Sequence, residues 1–207
     1  MIVLGIDPGK DGGWAIVQGS LILAGGRSPQ MKYGNKRVVT DGPALVRNIL
    51  AGAEQAEKQI DEACCEMVFS RPTDGSASAF AFGLSTGAAV MASQLCAPSN
   101  GLVSPTVWKE AFNLTGGKEH KRQALDLAKT LFRWRGQPVD FNVLANDGIA
   151  EAALIARWYI ERRAVEEQLA KKPLNGSQRV QQQLRKVAMK EQFELLRYSA
   201  AKHGPKQ

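Results

Sequence analysis

The stretch IVLGIDPGKDGGWAIV, residues 2–17, decides the fold of this 207-residue chain. Its first six residues are apolar and β-branched and predict a strand, PGKDGG has the proline and glycines of a turn, and WAIV predicts a second strand. SLILAGG, residues 20–26, predicts a third strand. Three short strands joined by tight turns indicate an antiparallel meander. The first strand ends in a carboxylate, Asp7, and the question is what that carboxylate does at the tip of a buried strand.

The rest of the chain alternates helices and strands. Apolar residues at helical spacing predict a helix within residues 41–59, ahead of a short apolar run, ACCEMVF, that predicts a central strand. The later predicted elements are, in order, an Ala-rich helix (76–95), a short strand at GLVSP, helices at TVWKEAFNL and HKRQALDLAKTLF, and one long helix from Asn146. This order predicts an α/β fold with a mixed central sheet, three antiparallel strands and then shorter parallel ones, flanked by helices.

Charge is distributed unevenly along the chain. Residues 1–160 contain 16 basic and 15 acidic residues, whereas residues 161–207 contain 11 and 5, so most of the net charge of +7 lies near the C-terminus. We predict one domain of catalytic size over residues 1–165 and a basic helical C-terminal extension over residues 166–207. A basic extension favours a polyanionic partner, although a solvated helical face explains the charge equally well.

Cellular location is predicted from what the chain lacks. We identify no stretch as a membrane span and no basic and apolar N-terminal signal, and therefore expect a soluble protein of the cytoplasm. The three cysteines, Cys64, Cys65 and Cys96, are odd in number and lie among apolar residues, which favours reduced, buried thiols. Cys64 and Cys65 should point to opposite faces of their strand.

Four acidic residues occupy unusual places. Asp7 ends the first strand, Glu66 lies within the central apolar strand, and Asp147 and Glu151, four residues apart, share a face of the last long helix. An unpaired buried carboxylate costs several kcal/mol, so Arg, Lys or divalent cations must compensate for it. Oxygen ligands without His or Cys select Mg²⁺ or Mn²⁺. Two such ions can activate a water and stabilise both oxygens of a phosphodiester displacement, which is nuclease chemistry.

Each of these acids also has a simpler explanation. Asp7 before Pro-Gly can be a turn residue, and Asp147 can cap and charge a helix N-terminus. Glu66 is the hardest to explain structurally, because Glu is almost never fully buried without a partner. The aromatic residues Trp108 and Trp134 are interpreted as packing residues.

These residues carry a family resemblance. Residues 2–160 resemble the RuvC-type Holliday junction resolvases, within the ribonuclease H-like superfamily, and look closest to their phage and prophage versions. The similar segments are GIDPGKDGGWAIV, EMVF, SASAFAFGLSTGAAVMA, SPTVWKEAFNL with GGKEHKRQAL, and NDGIAEAALIA. The last segment departs from the bacterial cellular enzymes, which have two aspartates three apart where this chain has Asp147 and Glu151. The basic extension has no counterpart in the family core.

The resemblance implies a function. It implies a homodimer that cuts a four-way DNA junction by paired symmetric nicks, using two Mg²⁺ ions per site, for which Mn²⁺ would substitute, and no nucleotide cofactor. A phage origin would place the protein in the cytoplasm of a bacterial host. The catalytic and metal-binding residues implied are Asp7, Glu66, Asp147 and Glu151. The DNA-binding residues implied are Phe69, Lys118, Lys121 and Arg122. From the sequence alone, a core position explains Phe69 equally well, and a solvated helical face is the alternative for the three basic residues.

Three other functions were weighed. A ribonuclease H-like nuclease acting on another branched DNA or on an RNA–DNA hybrid stays open, because substrate choice depends on surface shape. An actin-like ATPase or sugar kinase begins with a similar strand and turn but needs two such domains, for which 207 residues are too few. A non-catalytic DNA-architectural protein would not need acids from three separate regions.

Overall fold

A computed structural model describes residues 1–34, 37–70, 73–114, 120–134, 137–138, 147–171, 183 and 185–194. The elements, in chain order, are β1 (Ile2–Asp7), β2 (Gly13–Gln18), β3 (Leu21–Arg27), β4 (Gln30–Tyr33), β5 (Arg37–Thr40), α1 (Gly42–Gln55), β6 (Glu62–Glu66), α2 (Ser76–Cys96), β7 (Asn100–Val103), α3 (Pro105–Ala111), α4 (His120–Leu131), β8 (Arg133–Trp134), β9 (Gln137–Pro138) and α5 (Asp147–Ala170).

The strands form a mixed sheet in the order β7-β6-β1-β2-β3-β8-β9. β1 pairs antiparallel with β2, from Ile2 opposite Gln18 to Asp7 opposite Gly13, and β2 pairs antiparallel with β3. On the other side of β1, β6 and then β7 join in parallel. The predicted fold class is confirmed, because three antiparallel strands are followed by shorter parallel ones, as the ribonuclease H-like resemblance implies. β4 and β5 form a separate two-stranded hairpin.

Helices cover both faces of the sheet. Side chains alternate along each strand, so Val3 lies in a core with α3, α4 and α5, whereas Leu4 lies in a second core with α1 and α2. Cys64 and Cys65 fall in these two different cores, which confirms that they point to opposite faces. All three cysteines are free thiols.

Two glycines let the start of α5 approach the sheet closely. A Cβ at Gly5 would overlap the carbonyl oxygen of Ala152, and one at Gly148 would overlap the carbonyl oxygen of Asp11. Gly148 also forms a β-bridge with Gly12, in the turn between β1 and β2. The N-terminal end of α5 is therefore held against the end of β1 that carries Asp7.

The expectation that no stretch is apolar enough to span a membrane is wrong, because the length and composition of α2 meet that requirement. Helix α2 has 21 residues and an 18-residue window with a mean hydropathy of 1.3, so its length and composition would allow it to cross a membrane. A single helix of this kind is weak support for a membrane span, because helices in the core of a folded domain pass the same test. The inner face of α2, including Ala89 and Ala92, packs in the core with α1.

The C-terminal region begins with contacts to the domain. Residues 185–194 are helical, and Phe193 is buried edge-on against Phe112 with a ring separation of 4.9 Å. Gln192 donates a hydrogen bond of 2.7 Å to the carboxylate of Glu161 on α5. The division of the chain at residue 165 stays a prediction, and this part of the extension is packed on the domain.

Candidate active site

The ends of β1 and β6 bring Asp7 and Glu66 together. Ile6 lies opposite Cys65 in the parallel pairing, and Asp7 and Glu66 are the next residue of each strand and its last. Neighbouring strands lie about 4.8 Å apart, so these two residues are adjacent across the sheet. The strand predicted over ACCEMVF ends at Glu66, which places this acid at the strand tip rather than inside the strand.

The start of α5 adds the other two acids. Asp147 is its first residue and is partly buried, whereas Glu151 is only 7% exposed. The bridge between Gly12 and Gly148 fixes this helix end beside the turn that follows Asp7. Four carboxylates from three separate segments therefore share one end of the sheet.

The electrostatics of Asp7 show that the four acids interact. Burial raises the pKa of Asp7 well above its ordinary value of 3.8, and the charges of Glu66, Glu151 and Asp147 raise the pKa further. The ammonium of Lys109 opposes this effect. A carboxyl whose ionised form is disfavoured by burial and like charges lies in a site that a cation would stabilise.

Trp108 holds the carboxylate of Glu66. Its indole Nε1 donates a hydrogen bond of 2.7 Å to Glu66 Oε1, and Trp108 is fully buried while Glu66 is 4% exposed. Trp108 was interpreted as a packing residue, and it does lie in the core of α3, α4 and α5, but the contact to Glu66 was missed. The signal available was its place in SPTVWKEAFNL, one of the segments that carry the resemblance.

Two lysines contact the acids of α5. Lys109 Nζ lies 3.7 Å from Glu151 Oε2 and 5.0 Å from the ring centroid of Trp108. Lys121 Nζ lies 2.6 Å from Asp147 Oδ2, and this hydrogen bond raises the pKa of Lys121. Lys121, predicted to bind DNA, is thus in contact with a predicted metal ligand, and Lys109 is a site residue that sequence reasoning missed.

The other predicted DNA-binding residues lie at the surface or outside the described residues. Phe69, three residues beyond Glu66, is 74% exposed, so the alternative of a core position for it is wrong. The Arg122 side chain is 88% exposed, and its Nε lies 3.8 Å from Asp126 on the same helix. Lys118 lies outside the described residues.

The donor set suits a hard divalent cation. All four converging acids offer carboxylate oxygens, the ligands that Mg²⁺ and Mn²⁺ prefer, and their repulsion is visible in the raised pKa of Asp7. Within the described residues, no three His, Cys, Asp or Glu side chains are arranged closely enough to hold a metal as they stand. Contacts with Lys109, Lys121 and Trp108 hold three of the acids instead. Metal binding would therefore require Lys109 and Lys121 to move away from Glu151 and Asp147.

Comparisons with known proteins found similarity to solved structures alone. No protein-family model matches the sequence, and no curated protein matches it. The chain is similar to a solved structure of RuvC from Thermus thermophilus, with 18% identity over 75% of this chain and 91% of that one, at a TM-score of 0.46. A RuvC structure from T. thermophilus in complex with Holliday junction substrate matches at 17% identity, over 75% and 90% of the two chains, also with a TM-score of 0.46. At this level of similarity the fold class rests on the strand order, and nothing about activity follows.

Proposed function

We propose that this protein is a metal-dependent nuclease that cuts branched DNA, with the four-way junction as its substrate. The observation that carries the proposal is the convergence of Asp7, Glu66, Asp147 and Glu151 at one end of the sheet, where burial and then the charges of the other three raise the pKa of Asp7. The motif resemblance supplies the substrate. An architectural DNA-binding protein would gain nothing from such a cluster, because buried like charges destabilise the fold.

The residues have distinct roles in this proposal. Asp7, Glu66, Asp147 and Glu151 would hold two Mg²⁺ ions, which when bound supply an activated water and stabilise the leaving oxygen. Trp108 keeps the Glu66 carboxylate in one orientation through its 2.7 Å hydrogen bond. Lys109 and Lys121 partly neutralise the acids in the metal-free protein. Lys121 has a side chain that is 53% exposed. It would be available to bind a DNA phosphate if Asp147 held a metal ion instead of Lys121.

A homodimer fits the outer face of α2. Leu84, Met91 and Leu95 recur at helical spacing along this helix and are 38%, 54% and 64% exposed. An apolar stripe of this length on the surface is typical of an interface between proteins. A two-fold dimer would present two equal sites to a two-fold symmetric junction.

Sedimentation equilibrium tests the dimer. The wild type is expected to sediment as a dimer, and the double substitution Met91→Glu and Leu95→Glu should give a folded monomer, because two charges would be buried in the interface. A matched double substitution of two exposed charged residues on the opposite side of the sheet from α2, Lys171→Glu and Lys190→Glu, should leave the dimer intact. A wild type that is monomeric at all concentrations would contradict this interface.

A cleavage panel tests the activity. Wild type and Asp7→Asn are incubated with a labelled four-way junction, a linear duplex, a three-way fork and an RNA–DNA hybrid, with Mg²⁺ or with EDTA. Paired symmetric nicks in the junction alone, lost with EDTA and in the variant, are expected. Preferred cutting of the fork or hybrid would keep the metal site and assign the alternative nuclease function. Tight junction binding without cutting under any metal would reject catalysis.

A further inference from the structure

The hairpin of β4 and β5 stands apart from the main sheet beside the candidate active site. Its strands pair from Gln30 opposite Thr40 to Tyr33 opposite Arg37. The side-chain amide of Gln30 donates a hydrogen bond to the carbonyl of Lys10, in the turn that follows Asp7. The backbone N–H of Ser28 donates to Gly12 in the same turn, at 3.0 Å. The hairpin is therefore attached to the end of the sheet where the four acids converge.

The hairpin and the residues that lead into it are basic, within a domain whose charges as a whole are nearly balanced. Residues 27–40 contain four basic residues, Arg27, Lys32, Lys36 and Arg37, and no acidic one, whereas residues 1–160 contain 16 basic and 15 acidic residues. Both Lys32 and Arg37 are exposed. Arg37 also donates a hydrogen bond of 3.0 Å to Ser78 Oγ, which ties the hairpin to the first turn of α2. A local excess of positive charge beside a phosphodiester-cutting site favours contact with a nucleic-acid backbone.

Exposed aromatic rings accompany these charges. Tyr33 and Phe80 lie 6.1 Å apart between ring centroids, tilted by 38°, and are 41% and 57% exposed. Met31 and Val38 of the hairpin are also more than a third exposed, at 46% and 39%. Exposed rings interleaved with basic residues are the composition of surfaces that bind unpaired nucleotides by stacking.

We propose that the β4–β5 hairpin binds the DNA strand next to the candidate active site, with Lys32 and Arg37 on phosphates and Tyr33 stacked on an unpaired base. This inference rests on the proposed function, since it places DNA at the neighbouring acids. It adds a binding element that the motif resemblance does not include. The charge of the hairpin favours DNA over a second copy of this chain, whose own hairpin would carry the same positive charge.

Binding at different salt concentrations tests the phosphate contacts. The affinity for a labelled four-way junction is measured by fluorescence anisotropy in EDTA for wild type and for Lys32→Gln with Arg37→Gln. Removing two phosphate contacts should weaken binding on the order of tenfold at 0.1 M salt and make the log–log salt slope shallower by roughly 1.4 to 1.8. The control, Lys58→Gln with Lys171→Gln, removes two exposed positive charges that follow α1 and α5, at the far end of the sheet from Glu66. It should change both quantities much less.

A base analogue tests the stacking contact. With 2-aminopurine at the crossover of the junction, wild type should change the fluorescence of the probe on binding. Tyr33→Ala should abolish that change, and Tyr33→Phe should retain it, because stacking needs the ring and not the hydroxyl. Equal responses in all three proteins would overturn the role of Tyr33.

Four results would overturn the proposal as a whole. The first is an equal loss of affinity in the two charge variants, because equal losses would mean that only the total charge of the protein matters. Altered sedimentation of Lys32→Gln with Arg37→Gln, at unchanged junction affinity, would make the hairpin a contact between protein chains. If the wild type itself binds no branched DNA, the proposed function fails together with the hairpin proposal. If the wild type binds branched DNA and the hairpin variants bind it equally well, only the hairpin proposal fails.

Discussion

The acidic residues in the two halves of helix α5 have different neighbours. In the C-terminal half, Glu161 is buried but lies 2.5 Å from Arg157 and accepts a hydrogen bond from Gln192. Glu166 lies 2.9 Å from Arg162. In the N-terminal half, Asp147 and Glu151 lie beside Asp7 and Glu66, and burial, together with the charges of these neighbours, raises the pKa of Asp7.

The strand that carries Glu66 shows the same contrast. At its other end, Glu62 accepts a hydrogen bond of 2.7 Å from the Tyr159 hydroxyl and lies 3.1 Å from Arg163. Burial, followed by this hydrogen bond, raises the pKa of Tyr159 to about 12. The pair of Glu62 with Arg163 joins the helix to the sheet, and the pairs of Glu161 and Glu166 lie within the helix. The acids at the other end of the helix instead lie close to one another and repel. We therefore expect the second group to bind a cation, and four substitutions test this.

The largest effect is expected for Glu66→Gln. The amide keeps the volume of the side chain but is a poor ligand for a hard cation, so cleavage of a four-way junction should fall on the order of 10³-fold. Junction binding in EDTA should be unchanged. Single-turnover cleavage and anisotropy measure the two quantities. Retained cleavage would remove Glu66 from the catalytic set.

Glu161→Gln should have the opposite profile. Its loss of charge would leave Arg157, whose side chain is 16% exposed, without its ionic partner. Removing one member of a buried ion pair costs about 3 to 5 kcal/mol, so the free energy of unfolding should fall by roughly that amount in urea denaturation. Cleavage per folded molecule should stay near the wild-type rate. A loss of cleavage at full folding would show that the two halves of α5 are not separate in function.

Trp108→Phe should give an intermediate effect on activity. Phenylalanine fills most of the space but donates no hydrogen bond to Glu66, and loss of a group that orients a metal ligand lowers metal affinity or activity by about 10- to 100-fold. The expected change is a higher Mn²⁺ dissociation constant, measured by electron paramagnetic resonance of free Mn²⁺. Trp158→Phe serves as a control, because its indole is also buried but stacks near Arg162. Equal changes in both variants would indicate a packing effect alone.

The smallest effect is expected for the stability of Asp7→Asn. The folded state raises the pKa of Asp7 above 3.8, so this carboxyl favours the fold when protonated, and that contribution is lost as the pH rises through the raised pKa. At neutral pH in EDTA the variant should therefore be more stable than wild type, by about 0.5 to 2 kcal/mol, with little difference near pH 4. Thermal unfolding with and without Mg²⁺ measures this, and Mg²⁺ should stabilise wild type more than the variant.

Asp126→Asn is the matched control for that prediction. The Asp126 side chain is 62% exposed on α4, so its substitution should change stability little at either pH. If Asp7→Asn lowered the stability at neutral pH, Asp7 would be a structural residue rather than a member of a repelling cluster.

Local patterns predicted the elements that carry the acids. β1 ends at Asp7 because an apolar run meets Pro-Gly, and α5 runs from Asp147 because its apolar and small residues continue without a break. The β4–β5 hairpin was not predicted, because its four-residue strands are mostly exposed and lack a clear alternation. The contact of Trp108 with Glu66 joins residues 42 positions apart, a distance that no local pattern reports.

The sequence by itself determined which acidic residues lie at the ends of strands and helices, because the periodicity of apolar residues and the turn signals are local properties of the chain. Only the tertiary structure decided which partners those acids have. Glu161 and Glu151 are both buried acids of α5, yet Glu161 lies against a nearby arginine, whereas Glu151 lies against Lys109 within a cluster of carboxylates. The physical reason is that the cost of a buried charge depends on its neighbours in space, and those neighbours come from strands and helices far apart in the chain.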